Sequence, residues 1–348
     1  MKRIVLGLLA VVLFFGLVVL PNADAQEKPK KAKYVWNYPS WEAPGSWLNE
    51  VYYYWWPKRV EVLTKGEVKF NIHPSQTLIK GVDHYESVRD GIIPFAPSAS
   101  PYESDTIPLA TVVELPFVFD NWKTYLAMMN EMMDSGLQDY YKSKGVYCLA
   151  PVLVGNYGVW TTKKWGPIRK LEDLKGCKIR TPGGYLNNTL MAMGAIPIAI
   201  PVVDTYMSLQ TGVIDGASLC ETSQITHKLD EVIKYACRVN YGGPDIHIVA
   251  NLKVWNELPK HIRDAMLQAS KELQQHYAFE EDKYIKETAP KMLKKSGVEL
   301  IYLTKAETER MRKATKSVRE EWQKKYGKEF NGLGDKLLAI VDKYRGKQ

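Results

Sequence analysis

Apolar and polar positions along this chain recur with two periods. "YVWNYPS" (34–40), "VKFNIHPS" (68–75) and "IIPFAPS" (92–98) are short runs rich in β-branched and aromatic residues, each stopped by a Pro-Ser corner, and they predict strands. Residues 46–64 and 81–90 between them carry apolar positions at helical spacing, so the segment predicts a βαβαβ half-domain whose strand ends open into loops. After a helical stretch over 121–145, a second set follows: "VYCLAPVLV", "VWTTKK", "CKIRTP", "IPIAIP" and "ASLCET", again with helices between. Alternation of this kind implies mostly parallel pairing with helices on both faces, and ligands bind such sheets beyond the carboxyl ends of the strands.

The tail differs. From Pro259, suited to the first turn of a helix, the apolar positions Ile262, Met266, Ala269, Leu273 and Tyr277 fall at steps of three and four, with no proline before Pro290. Such a helix rises ~1.5 Å per residue, about 45 Å in all, and can lie across two lobes. "GVELIYLT" predicts one more strand, and 305–327 further helices rich in Lys, Arg and Glu.

The N-terminus sets the compartment. Lys2 and Arg3 precede an uncharged apolar run from Ile4 to Leu20, then Pro21 and Ala23-Asp24-Ala25, the layout of a secretory signal cleaved after Ala25, with an uncleaved anchor as the alternative. The remaining roughly 320 residues exceed what one core usually supports and predict two lobes. A composition of 25% charged and 45% hydrophobic residues is that of a soluble exported protein. The formal charge of +8 is spread along the chain without a basic stripe, which speaks against nucleic acid as a partner.

Catalytic signatures are missing. The chain contains no GxSxG, HExxH or GxxxxGK[ST], and its six histidines are scattered without metal-ligand spacing, so neither an enzyme mechanism, a metal nor a cofactor is expected. Cys148, Cys177, Cys220 and Cys237 form no CxxC; disulfides and buried free thiols both fit them. Aromatic residues, by contrast, stand where loops should open: Tyr38 and Trp41 after the first strand, Tyr102 after the third, Tyr157 and Trp160 in the second set, with Asn156 beside them, and Tyr185. Rings at the mouth of a cleft enclose the apolar body of a ligand. "GCKIRTPGG" (176–184) adds a charge to this setting, since Arg180 ends a strand and is followed by a sharp turn at Pro182, Gly183 and Gly184. An ordinary strand-end arginine pairs with a surface carboxylate.

"PIRKLEDLKGCKIRTPGG", "MGAIPIAIPVVDTYMSLQTGVIDGA" (193–217) and "VWNELPKHIRDAMLQASKE", in that order, resemble the solute-binding proteins of tripartite ATP-independent periplasmic (TRAP) transporters, the DctP-like family, and the resemblance covers essentially the whole mature chain. It implies a two-lobed α/β periplasmic binding protein fold, each lobe a mixed, mostly parallel sheet flanked by helices, with a long helix spanning both. The implied division gives 1–25 to the signal peptide, 26–149 with 240–275 to the first lobe, and 150–239 with 276–348 to the second. Hinge strands are expected near 148–152 and 236–242. The implied function is capture of a small organic acid for the small and large membrane subunits of a TRAP transporter; a periplasmic sensor presenting its closed state to a membrane receptor is the alternative. Some relatives pair through C-terminal helices, and the amphipathic tail here would permit a homodimer.

The family's carboxylate-holding arginine falls on Arg180. A planar guanidinium grips a carboxylate through two parallel hydrogen bonds. Sialic-acid-type members carry a second arginine in a "GTR" context, where this chain reads Gly158-Val159-Trp160, and an asparagine after the "DG" turn, where it reads "DGASLCETS". Those departures point to a monocarboxylate with an apolar or aromatic body. Tyr38, Trp41, Asn156 and Trp160 are the expected cleft residues beside Arg180, with Ser98, Asp204, Tyr206 and Glu221 as further polar contacts.

Overall fold

The computed structural model describes residues 32–119 and 121–345; the expected signal segment lies outside them. Among the described residues eleven strands form: β1 (Tyr34–Pro39), β2 (Val68–His73), β3 (Phe95–Ala99), β4 (Val146–Leu153), β5 (Gly158–Thr161), β6 (Lys178–Thr181), β7 (Ile196–Ala199), β8 (Gly216–Leu219), β9 (Tyr235–Cys237), β10 (Asp245–Asn251) and β11 (Glu299–Ile301). β1 and β2 pair in parallel beside a three-stranded sheet of order β3-β10-β4, and the second lobe holds a six-stranded sheet of order β11-β9-β5-β8-β6-β7.

Strand direction is more mixed than the alternating pattern predicts. Both pairs of the three-stranded sheet are antiparallel, and β5 runs antiparallel between β8 and β9, while β8, β6 and β7 are parallel. In the first lobe the difference comes from β10, "DIHIVAN", which returns from the second lobe and inserts between β3 and β4. Every position of it is buried, including Asp245, His247 and Asn251. His247 Nδ1 lies 2.9 Å from Asp245 Oδ2 and Nε2 lies 2.7 Å from Glu103 Oε1, while Ser98 Oγ donates to the other Glu103 oxygen at 3.2 Å. The pairing neutralises groups whose burial alone would be prohibitive.

Two segments pass between the sheets, 154–157 from β4 to β5 and 238–244 from β9 to β10. They are tied to each other: the Val154 amide donates to the Pro244 carbonyl at 3.1 Å, and that of Tyr157 to Gly242 at 2.7 Å. The helix Lys260–Lys283 continues through one wider turn into Ala289–Lys295. Its first part packs on Trp55–Leu63 and β4, where Trp56 Nε1 donates to Ser270 Oγ at 2.9 Å and Tyr277 Oη to the Val154 carbonyl at 3.1 Å. Its continuation lies against Glu221–Thr226 in the second lobe, so it spans both, as the periodicity predicts.

The end of the chain departs from the expected division. Helix Lys305–Ala314 stays with the second lobe, but Val318, Trp322, Leu333, Leu337 and Val341 bury themselves in the first lobe's core, and Trp322 Nε1 donates to Thr111 Oγ1 at 2.9 Å. The apolar faces proposed for a dimer are thus used within the chain. All four cysteines are buried free thiols. Among the described residues no helix is long and apolar enough to cross a membrane, and no group of three His, Cys, Asp or Glu is placed to hold a metal.

Candidate functional site

The lobes face each other across a cleft with about 410 Å³ of unfilled space, counting its open mouth. The first lobe contributes Trp41, Glu42, Leu48, Tyr53, Ala99 and Tyr102; Tyr157, Arg180, Pro182 and Ser223 face them. Arg180 sits on β6, between β8 and β7, and is only 1% exposed. Its Nε donates to the Ile200 carbonyl at 2.8 Å and its Nη1 to that of Ser218 at 3.5 Å, so backbone at the ends of both neighbouring strands fixes the fork. Burial raises the Tyr102 and Tyr157 hydroxyls above the usual phenol range, and the guanidinium opposes it at both. Arg180 pairs with no carboxylate among the described residues. It is therefore a desolvated cation at the cleft wall, held by backbone carbonyls and not by a carboxylate.

The turn after β6 docks this strand on the first lobe. Gly184 adopts φ +58°, and a Cβ there would overlap the carboxylate of Glu114, which accepts the Tyr185 amide at 2.8 Å. That close approach requires glycine. Burial pushes the Glu114 carboxyl up to about 8, against the hydrogen bond from the Tyr185 amide.

Of the other residues singled out in the sequence, Trp41 lines the cleft, edge-on to Tyr53 and Tyr102 with centroids 4.9 and 6.0 Å away. Trp160 does not: it is buried in the core, its indole N–H donating to the Leu219 carbonyl at 2.6 Å. Tyr38 packs in the first-lobe core against Trp56 and Phe70. Ser98 is turned to Glu103, behind the cleft. Asn156 lies in the crossing segment and lines a separate hollow with Glu281. Asp204 is exposed, and Tyr206 Oη donates to Glu231 at 3.0 Å. Glu221 accepts from Arg238 Nη2 at 2.7 Å. Sequence reasoning missed Glu42, Tyr53 and Ser223. Glu42 looks like an ordinary loop acid, and only the aromatic cluster that follows a first strand hinted that its neighbourhood faces inward.

The family model for bacterial extracellular solute-binding protein, family 7 (DctP) matches residues 48–325. The chain belongs to this family. An uncharacterized protein from Haemophilus influenzae is 30% identical over 284 residues, 80% of this chain and 82% of its own length. Among solved structures, the Bordetella pertussis extracytoplasmic solute receptor DctP7, binding pyroglutamic acid, superposes with a TM-score of 0.80 at 18% identity, covering 88% of this chain and 99% of that one. A TRAP periplasmic solute-binding protein from Sulfurospirillum deleyianum, with bound succinate, gives 0.76 at 24%, covering 89% and 99%. Both show the two-lobed fold. Family membership makes this DctP protein an extracytoplasmic solute-binding protein of the TRAP type and not an enzyme.

Proposed function

We propose that this protein captures a small monocarboxylate with an apolar or aromatic body between its lobes, Arg180 holding the carboxylate, and hands it to the small and large membrane subunits of a TRAP transporter. The observation that carries the choice is that Arg180 is the sole lysine or arginine among the cleft-lining residues, which are otherwise mostly aromatic and aliphatic. A second carboxylate would be buried without a cation, at a cost of several kcal/mol. The acids bound by the solved relatives, pyroglutamic acid and succinate, differ in just this respect, so the fold by itself does not choose between them. Trp41, Tyr53, Tyr102 and Tyr157 supply the rings for the body of the ligand.

A thermal-shift screen of the mature protein should show aliphatic, aromatic, hydroxy and keto monoacids raising the melting temperature, with the dicarboxylic acid of equal chain length giving a smaller shift. Larger shifts from the diacids would overturn the monocarboxylate assignment. Sugars or peptides as the only hits would overturn acid capture altogether.

A further inference from the structure

Glu42 lines the same cleft as Arg180 and is 2% exposed, yet its Oε2 has no hydrogen-bond partner. Its other oxygen lies 3.3 Å from Nε2 of His227, which itself lacks an aligned hydrogen bond. The Tyr53 hydroxyl, also in the lining, is likewise without a partner. Backbone around Glu42 is rigidly held: Asn49 Nδ2 donates to the carbonyls of Glu42 and Ala43 at 3.1 and 2.6 Å, and Ser40 Oγ donates to Asn49 Oδ1 at 2.7 Å. Tyr102 lines the cleft together with Arg180 and Glu42, so the cation and the acid face one ligand space. A buried carboxylate oxygen left unpaired costs free energy that a donor on the ligand recovers.

We infer that Glu42 is a specificity determinant of the cleft, accepting a hydrogen bond from an amine, hydroxyl or ring N–H on the acid whose carboxylate Arg180 holds. The ligand class is thereby narrowed to monocarboxylates that carry a donor, such as amino, hydroxy or lactam acids. This rests on the acid-capture reading above, and the test separates the two.

Calorimetry on the mature protein would compare matched acids that differ only in the donor: L-proline with cyclopentanecarboxylate; L-leucine and its 2-hydroxy analogue with 4-methylpentanoate; L-phenylalanine and its 2-hydroxy analogue with 3-phenylpropanoate. In the series that fits best, a donor-bearing member should bind at least about tenfold more tightly than the donor-free acid. Glu42→Ala should collapse that ratio to within about threefold while leaving the donor-free acid near its wild-type affinity. Glu42→Gln, which keeps an acceptor but loses the charge, should spare a hydroxy acid more than an amino acid. Donor-free acids binding as well as their partners to the unmodified protein would overturn the role of Glu42 while leaving acid capture intact. Failure of every acid in all three series would overturn both.

Discussion

Arg180→Ala is expected to weaken binding of small carboxylic acids by about 2–5 kcal/mol, roughly thirty- to several-thousandfold in Kd. The guanidinium is held by the Ile200 and Ser218 carbonyls before any ligand arrives, so no side-chain ordering offsets its attraction for an anion. Arg180→Lys keeps the charge but not the planar fork. A lysine ammonium cannot hold both strand-end carbonyls and grip two carboxylate oxygens in parallel, so it should recover only part of the loss. Calorimetric titration of both variants with the best acid of the thermal-shift screen checks this. Wild-type affinity in Arg180→Ala would remove the residue from the site.

His247→Ala should cost about 3–5 kcal/mol of folding stability, because it leaves the buried Glu103 and Asp245 carboxylates facing each other without their cation. Burial pushes the His247 imidazole down, but the two carboxylates push it further up, to about 10. A histidine whose folded value lies above its ordinary one of about 6.5 contributes stability that is complete below that pH and is lost as pH rises toward 10. Urea denaturation of the wild type should accordingly show stability falling between pH 6.5 and 10, and the gap between wild type and His247→Ala should narrow over the same window. If the variant does not fold, the wild-type profile alone carries the test. A profile flat over that window would contradict an imidazolium in the core.

Much of this arrangement was legible in the residues. The Pro-Ser corners mark the ends of β1, β2 and β3 to within about two residues, and the three- and four-residue steps after Pro259 trace a helix that does span both lobes. Arg180 and the rings of Trp41, Tyr102 and Tyr157 do line the cleft. The missed strand, β10, carries Asp245, His247 and Asn251 among its apolar residues, so it shows no continuous apolar run of the kind that marks a fully buried strand. Its polar positions are satisfied by partners far away in sequence, with Asn251 Nδ2 donating to the Val88 carbonyl at 2.8 Å and His247 reaching Glu103. The antiparallel pairing of the first lobe was lost with it. Which face a strand residue presents depends on register to the single residue, so Trp160, one position from Val159 and two from Gly158, carried no mark that its indole belongs to the core. Glu42 was illegible for another reason. Its burial depends on the 40–49 loop folding back through Asn49, and nothing in the local sequence announces that closure.

Carboxylate capture by a buried arginine is tested most directly by titrating the mature protein, at one pH, with its tightest-binding acid and with the primary amide of that acid. The two differ only in the charge that Arg180 would meet. The acid should bind at least about a hundredfold more tightly than the amide. An amide that binds within about threefold of the acid would contradict it.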